Sequence, residues 1–165
     1  MVSDELIDRF AARLQIAGYL IGRIEAAPWI DDFESRLGQR LPPSFSSLMR
    51  RYAFTPFEWG RVCFFGNSGT NDDNDFAIAA TRDPAIWKAT IKAGFIQFAR
   101  PPGVNYDLIC FDTTIRRKNR EFPIVRIDHE TILIYERVIV VEDLWLSFGE
   151  LLESLLAGGD PPNAA

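Results

Sequence analysis

Five consecutive positions, Asn71 to Asp75, read Asn-Asp-Asp-Asn-Asp and follow the glycine-bounded stretch Gly66-Asn67-Ser68-Gly69. Such a density of side-chain oxygens raises calcium first. An EF-hand loop begun at Asn71 would place ligands at Asn71, Asp73 and Asp75, but Phe76 would stand at its glycine and Arg82 at its closing glutamate. Shifting the start does not restore both features, so no metal site is expected. A phosphate cradle fits no better, because the stretch lacks the lysine of a P-loop and its aspartates repel an anion. An exposed acidic turn survives, either simply solvated or used for docking.

His129, the only histidine, lies in Arg126-Ile127-Asp128-His129-Glu130. One histidine excludes a multi-histidine metal centre and makes any Ser-His-Asp arrangement depend on this residue alone. Its His-Glu pair is no metalloprotease signature, since Leu133 stands where the second histidine belongs. Its position between two strand-like runs predicts a hairpin turn. The carboxylate pairs Asp128 with Glu130, and Asp107 with Asp112, have the residue types of acid-base hydrolysis. Residues two apart on a strand share a face and residues five apart do not, and spacing places neither pair in a cleft. The basic run Arg116 to Arg120 also falls between strand-like runs, where it serves as a solvated loop or a patch for phosphate or an acidic partner.

The elements that must position these residues divide the chain. At 165 residues, with 47% hydrophobic and 25% charged content, it has the composition of one globular domain able to bury a core without staples. Leu6, Ile7, Phe10, Leu14, Ala17 and Ile21 recur at helical spacing after Ser3, a candidate N-cap. Trp29, Ile30, Phe33 and Leu37 form a second stripe between Pro28 and Gly38. Phe45, Leu48, Met49 and Tyr52 form a third after Pro43. From Thr55 the pattern changes to short runs rich in Val, Ile, Phe and Tyr, read as strands: "EWGRVCFFG", "DFAIAAT", "GFIQFA", "NYDLICFD", "FPIVRID" and "TILIYERVIVV". Asp83-Pro84 predicts a short helix between two of them. Ser147 and Glu150 form a capping box that opens a closing helix with Phe148, Leu151, Leu152, Leu155 and Leu156 inward. The expected fold is therefore α+β: a single domain over 1–157 in which N-terminal helices and a C-terminal helix cover one face of a mainly antiparallel sheet. Residues 158–165 are expected to form a flexible tail.

Charge and cysteines narrow the partners. The formal net charge is −5 and the pI about 4.9, which disfavours direct nucleic-acid binding and favours a cationic partner. Cys63 and Cys110 sit in apolar runs as buried thiols do, and no Cys-x-x-Cys occurs. No apolar run approaches a membrane span, and the charged N-terminus does not read as a secretion signal, so a cytoplasmic location without membrane contact is expected.

Three ordered segments resemble the SUKH superfamily. Ile30, Phe33, Glu34, Leu37, Gly38, Leu41, Pro42 and Phe45 match its helix, Leu-Pro, helix opening. "IQFARPPGVNYDLICFD" is similar to its central strand pair, and "FPIVRIDHE" followed by "LSFGELLESLL" to its next strand and final helix. The chain departs from the pattern at "AFTPF", where the family often carries Asn-Gly. The resemblance implies a compact α+β domain without catalytic residues or cofactors. Bacterial members are largely immunity proteins that neutralise a toxin, often a nuclease, and fungal relatives regulate cell-wall assembly through protein contacts. The expected function is thus protein binding, with a toxin domain of basic surface as partner. An intracellular adaptor is the alternative, and a small hydrolase using Asp128, His129 or Glu130 the less favoured one. For a basic partner the candidate contacts are Asp72, Asp73, Asp75 and Glu58, with Trp59 as an apolar anchor. Glu34 is expected to bond backbone groups at the Leu41-Pro42 junction instead.

Overall fold

The computed structural model describes residues 2–68, 75–115 and 117–164. Helix α1 (Asp4–Ile16) starts where Ser3 Oγ accepts from the Leu6 amide at 3.2 Å, and it buries Leu6, Ile7, Phe10, Ala11 and Leu14. Gly18, at φ 90°, then turns the chain into β1 (Ile21–Arg23), so Ile21 belongs to a strand and not to the helical stripe. Helix α2 (Trp29–Leu37) ends at Gly38 in the left-handed conformation. Glu34 Oε1 accepts from the Leu41 amide at 2.9 Å, the backbone role its position suggested. Helix α3 (Pro43–Arg51) leads into β2 (Tyr52–Phe54), which pairs antiparallel with β1. Asp8 of α1 braces this pair: it accepts from the Tyr52 hydroxyl at 2.7 Å and pairs with Arg51 and Arg23. Those partners, the hydroxyl foremost, hold its carboxyl below its ordinary range.

The remaining elements are β3 (Phe57–Trp59), β4 (Val62–Phe64), α4 (Phe76–Ala79), α5 (Pro84–Ala93), β5 (Phe95–Arg100), β6 (Leu108–Asp112), β7 (Ile124–Ile127), α6 (His129–Tyr135), β8 (Val140–Trp145) and α7 (Phe148–Ala157). Strands β3 to β8 lie side by side in chain order, every neighbouring pair antiparallel. The domain is therefore α+β, and α1 and α7 are in contact. Arg61, in the β3–β4 turn, reaches Glu142 of β8 at 2.8 Å, so the sheet curls enough for a side chain to bridge its two ends.

Two expected strands are helical. "DFAIAAT" forms α4 because Asp75 accepts from the Ala77 amide and caps it, while its alanines offer no branched side chains to a sheet. In "TILIYERVIVV" the cap at Asp128, which accepts from the Glu130 amide at 2.9 Å, starts α6 at His129. Glu136, at φ 52°, stops it, and only the later residues extend as β8. His129 consequently opens a helix and does not lie in a hairpin turn. The closing helix begins as expected, with Ser147 Oγ accepting from the Glu150 amide at 3.1 Å. The tail after α7 touches the domain: Pro161 is buried, Asp160 pairs with Arg13, and the Ala164 amide donates to Ala17 O at 2.8 Å.

The sheet is covered on both faces, not one. On the inner face, α1, α2, α3, α4 and α7 enclose the main core, which holds every phenylalanine of the chain except Phe95. Phe45 lies at its centre, with ring centroids 5.1 to 5.4 Å from Phe76, Phe98, Phe111 and Phe148. On the outer face a smaller cluster of Phe95, Leu108, Cys110, Val125, Ile127 and Ile132 lies under α5 and α6. Alternation along β6 separates the two, since Leu108 and Cys110 face outward and Ile109 and Phe111 inward.

Candidate functional site

The three described residues of the expected docking set do not share one surface. Trp59 is 3% exposed and stacks on Phe10 at 5.1 Å, so the proposed apolar anchor is part of the inner core. Asp75 is 8% exposed and caps α4, which withdraws it from the surface. Glu58 is exposed, but it stands beside Cys63 on the outer face, with Oε2 and Sγ 3.5 Å apart. Asp72 and Asp73 lie outside the described residues.

The residues around them have a clear structural task. Asn67 is buried; its Oδ1 accepts from the Phe54 amide at 2.8 Å and its Nδ2 donates to Tyr52 O at 2.8 Å. A Cβ at Gly66 would meet Phe54 O at 2.7 Å, so only glycine permits this approach. Gly66 also bridges to Asp75, with Phe76 N donating to Gly66 O at 2.6 Å. Gly66 and Asn67 thus clamp the end of β2.

A concavity of about 620 Å³ lies on the outer face where the cover of α5 and α6 stops. Gln97 and Arg100 come to it from β5 and Phe65 from beyond β4. Ile86 and Trp87 come from α5, Val104 and Tyr106 from the β5–β6 loop, and His129 and Leu133 from α6. Capping makes this possible. Asp83 accepts from the Ala85 and Ile86 amides to start α5, as Asp128 does for α6, so two helices begin against the same sheet. Arg100 Nη1 donates to Gly103 O at 3.1 Å and holds the loop that carries Val104 and Tyr106.

At one end of this groove Asp107 organises His129. Its Oδ1 lies 2.9 Å from His129 Nδ1 and accepts from the His129 amide at 3.3 Å, while Oδ2 accepts from Arg126 Nη1 at 3.1 Å. The Tyr106 ring meets the imidazole edge-on at 5.9 Å. Asp107, Asp128 and His129 bring ligand atoms within 4.8 Å of one another, the spacing of a three-ligand metal site. The surroundings oppose a cation: Arg126 already supplies positive charge to Asp107, and the α6 N-terminus claims Asp128. The carboxylate instead fixes the orientation of the imidazole, as in the Asp-His half of a triad. Among the described residues lining the groove there is no serine, threonine or cysteine to complete one.

Asp107 and Asp112 do not come together. Asp112 sits at the other end of β6 from Asp107 and accepts from the Thr114 amide at 2.9 Å, closing a turn. Asp107 meets His129 because Leu108 pairs with Ile127, which brings the residues just outside that pair together. Recognising β6 and β7 as neighbours was the signal that would have found it. Both cysteines are free thiols. Burial, with the Glu58 carboxylate adding to it, pushes the Cys63 thiol up to about 11, and burial alone raises Cys110 well above its ordinary value. No helix among the described residues is long and apolar enough to cross a membrane. In comparison with known proteins, the chain matches no protein-family model and no curated protein significantly.

Proposed function

We propose that this protein is a non-catalytic protein-binding domain, an immunity protein that neutralises a toxin domain of basic surface. One observation carries the binding reading: Val104, Tyr106 and Leu133 are 90%, 67% and 52% exposed, and all three line a single groove beside Trp87. Apolar and aromatic side chains gathered in one open concavity with a polar rim are the composition of an interface core, where a few anchors carry most of the affinity. The net charge of −5 supplies long-range steering toward a cationic partner, while the groove supplies short-range anchoring. The sequence resemblance to SUKH immunity proteins is what directs the reading to a toxin. The α+β architecture and the Glu34 to Leu41 bond agree with it. Asp72 and Asp73 join the chain between Ser68 and Asp75, a few residues from the groove-lining Phe65 and Ala79, and remain the proposed acidic contacts.

Affinity capture from cells carrying the native locus tests this, with wild type compared against Leu133→Asp and Val104→Asp. The expected result is one basic protein held by wild type and lost by both variants, toxic when expressed alone and harmless when co-expressed with wild type. A partner without toxicity would point to the adaptor role. Retention of partner and protection by both variants would exclude the groove.

A further inference from the structure

Of the basic run, the described residues Arg117, Lys118 and Arg120 do not line the groove, and the fold gives Arg120 a different setting. Arg120 has a left-handed backbone, φ 57°, and its amide donates to Arg117 O at 3.0 Å. The next residue, Glu121, is buried and accepts from both Ser44 N, at 2.9 Å, and Ser44 Oγ, at 2.6 Å. Arg120 is thereby tied to the first turn of α3. Arg40 approaches the same turn through the Leu41 junction that Glu34 fixes. Arg40, Arg120, Arg50, the hydroxyl residues Ser46 and Ser47, and Glu34, whose Oε1 is already taken by the Leu41 amide, line one concavity of about 410 Å³, within the range of small-molecule sites.

Its arginines are not equivalent. Arg50 pairs with Asp31, and Arg51 with Asp4 and Asp8. Among the described residues, neither Arg40 nor Arg120 makes an ion pair or a side-chain hydrogen bond. Two unneutralised guanidinium groups on one concavity, in a chain of net charge −5, call for an anion. We propose that this concavity binds a compact multivalent oxyanion of phosphoryl chemistry. The two guanidinium forks present planar donor pairs to its oxygens. Ser46 Oγ accepts from Arg50 Nε at 3.2 Å and keeps its own proton to donate. The α3 N-terminus takes no part, because Glu121 already fills its cap. Size decides between a compact and an extended polyanion: Asp31 and Asp4, 71% and 78% exposed, flank the arginines and repel a strand that runs past them.

Calorimetric titration of the full chain with inorganic pyrophosphate at low ionic strength tests the site. The expected result is saturable one-to-one binding that weakens with added sodium chloride. Arg40→Gln and Arg120→Gly should each weaken it by about tenfold or more, and the remote Arg61→Gln should leave it unchanged. Arg120→Gly also relieves the left-handed backbone, so that variant should melt no lower than wild type and its lost binding is not a folding failure. The proposal is overturned by absence of saturable binding, by equal binding in Arg40→Gln and Arg120→Gly, or by a duplex oligonucleotide that binds more tightly than pyrophosphate.

Discussion

The two faces of the six-stranded sheet are built from the same strands and finished differently. Helices α1 to α4 and α7 close the inner face over a continuous aromatic core. The outer face has two helices, which cover β5 to β7 and leave the end nearer β3 and β4 open. A residue's exposure therefore depends on which of the two alternating positions it holds and, on the outer side, on how far along the sheet it lies. Under the proposed function, stability resides on the closed face and binding on the open one, a division that would make the groove tolerant of change at modest cost to the fold.

The largest effect that separates the faces is a core truncation. Phe45→Ala removes the ring at the centre of the inner cluster, where close packing on all sides prevents collapse, and should cost about 3–5 kcal/mol in urea denaturation. Phe95→Ala, in the outer cluster near an edge that can relax, should cost less by about 1 kcal/mol or more. Equal losses would mean that the outer cluster is as tightly packed as the inner one, and the division of labour would fail.

Helix caps repeat the contrast at smaller scale. Glu121 is 4% exposed, and its removal by Glu121→Ala strands the Ser44 amide and hydroxyl in the interior, at about 1–3 kcal/mol. Asp128 caps α6 where water can replace it, so Asp128→Ala should cost about 1 kcal/mol or less. Thermal melts of the two variants check the order, and a larger loss at Asp128 would mark α6 as a main structural element.

Local signals were legible in the sequence, and pairings across the chain were not. Ser3, Gly38, Asp83 and Ser147 each announced a helix boundary, because a cap is an interaction between residues two to four apart. The same cap logic at Asp75 and Asp128 was overridden by the β-branched and aromatic residues that follow them, and two helices were read as strands. Trp59 and Asp75 looked like surface contacts because types and spacing do not tell which face of a hairpin is covered. The groove itself draws on β5, α5, α6 and two loops, and the Asp107 to His129 contact spans a strand register that no local pattern encodes. The acidic run drew attention by composition, whereas its described neighbours Gly66 and Asn67 serve to clamp a strand end.

The two cysteines offer the finest probe of the same difference, since both side chains lie on the outer side of the sheet. Cys110 is fully buried under α5 and α6, and Cys63 is half-buried beyond their reach. With its pKa pushed up to about 11, Cys63 holds only about a thousandth of its population as thiolate at pH 8. Iodoacetamide should therefore modify one thiol slowly, faster as pH rises, and leave Cys110 intact in the folded protein. Glu58→Gln removes the carboxylate that adds to the effect of burial, so it should speed alkylation of Cys63 without touching Cys110. Modification of Cys110 at the rate of Cys63 would show that the cover formed by α5 and α6 opens in the native state. The groove would then be one conformation of a moving face, and binding there would carry the entropic cost of ordering it.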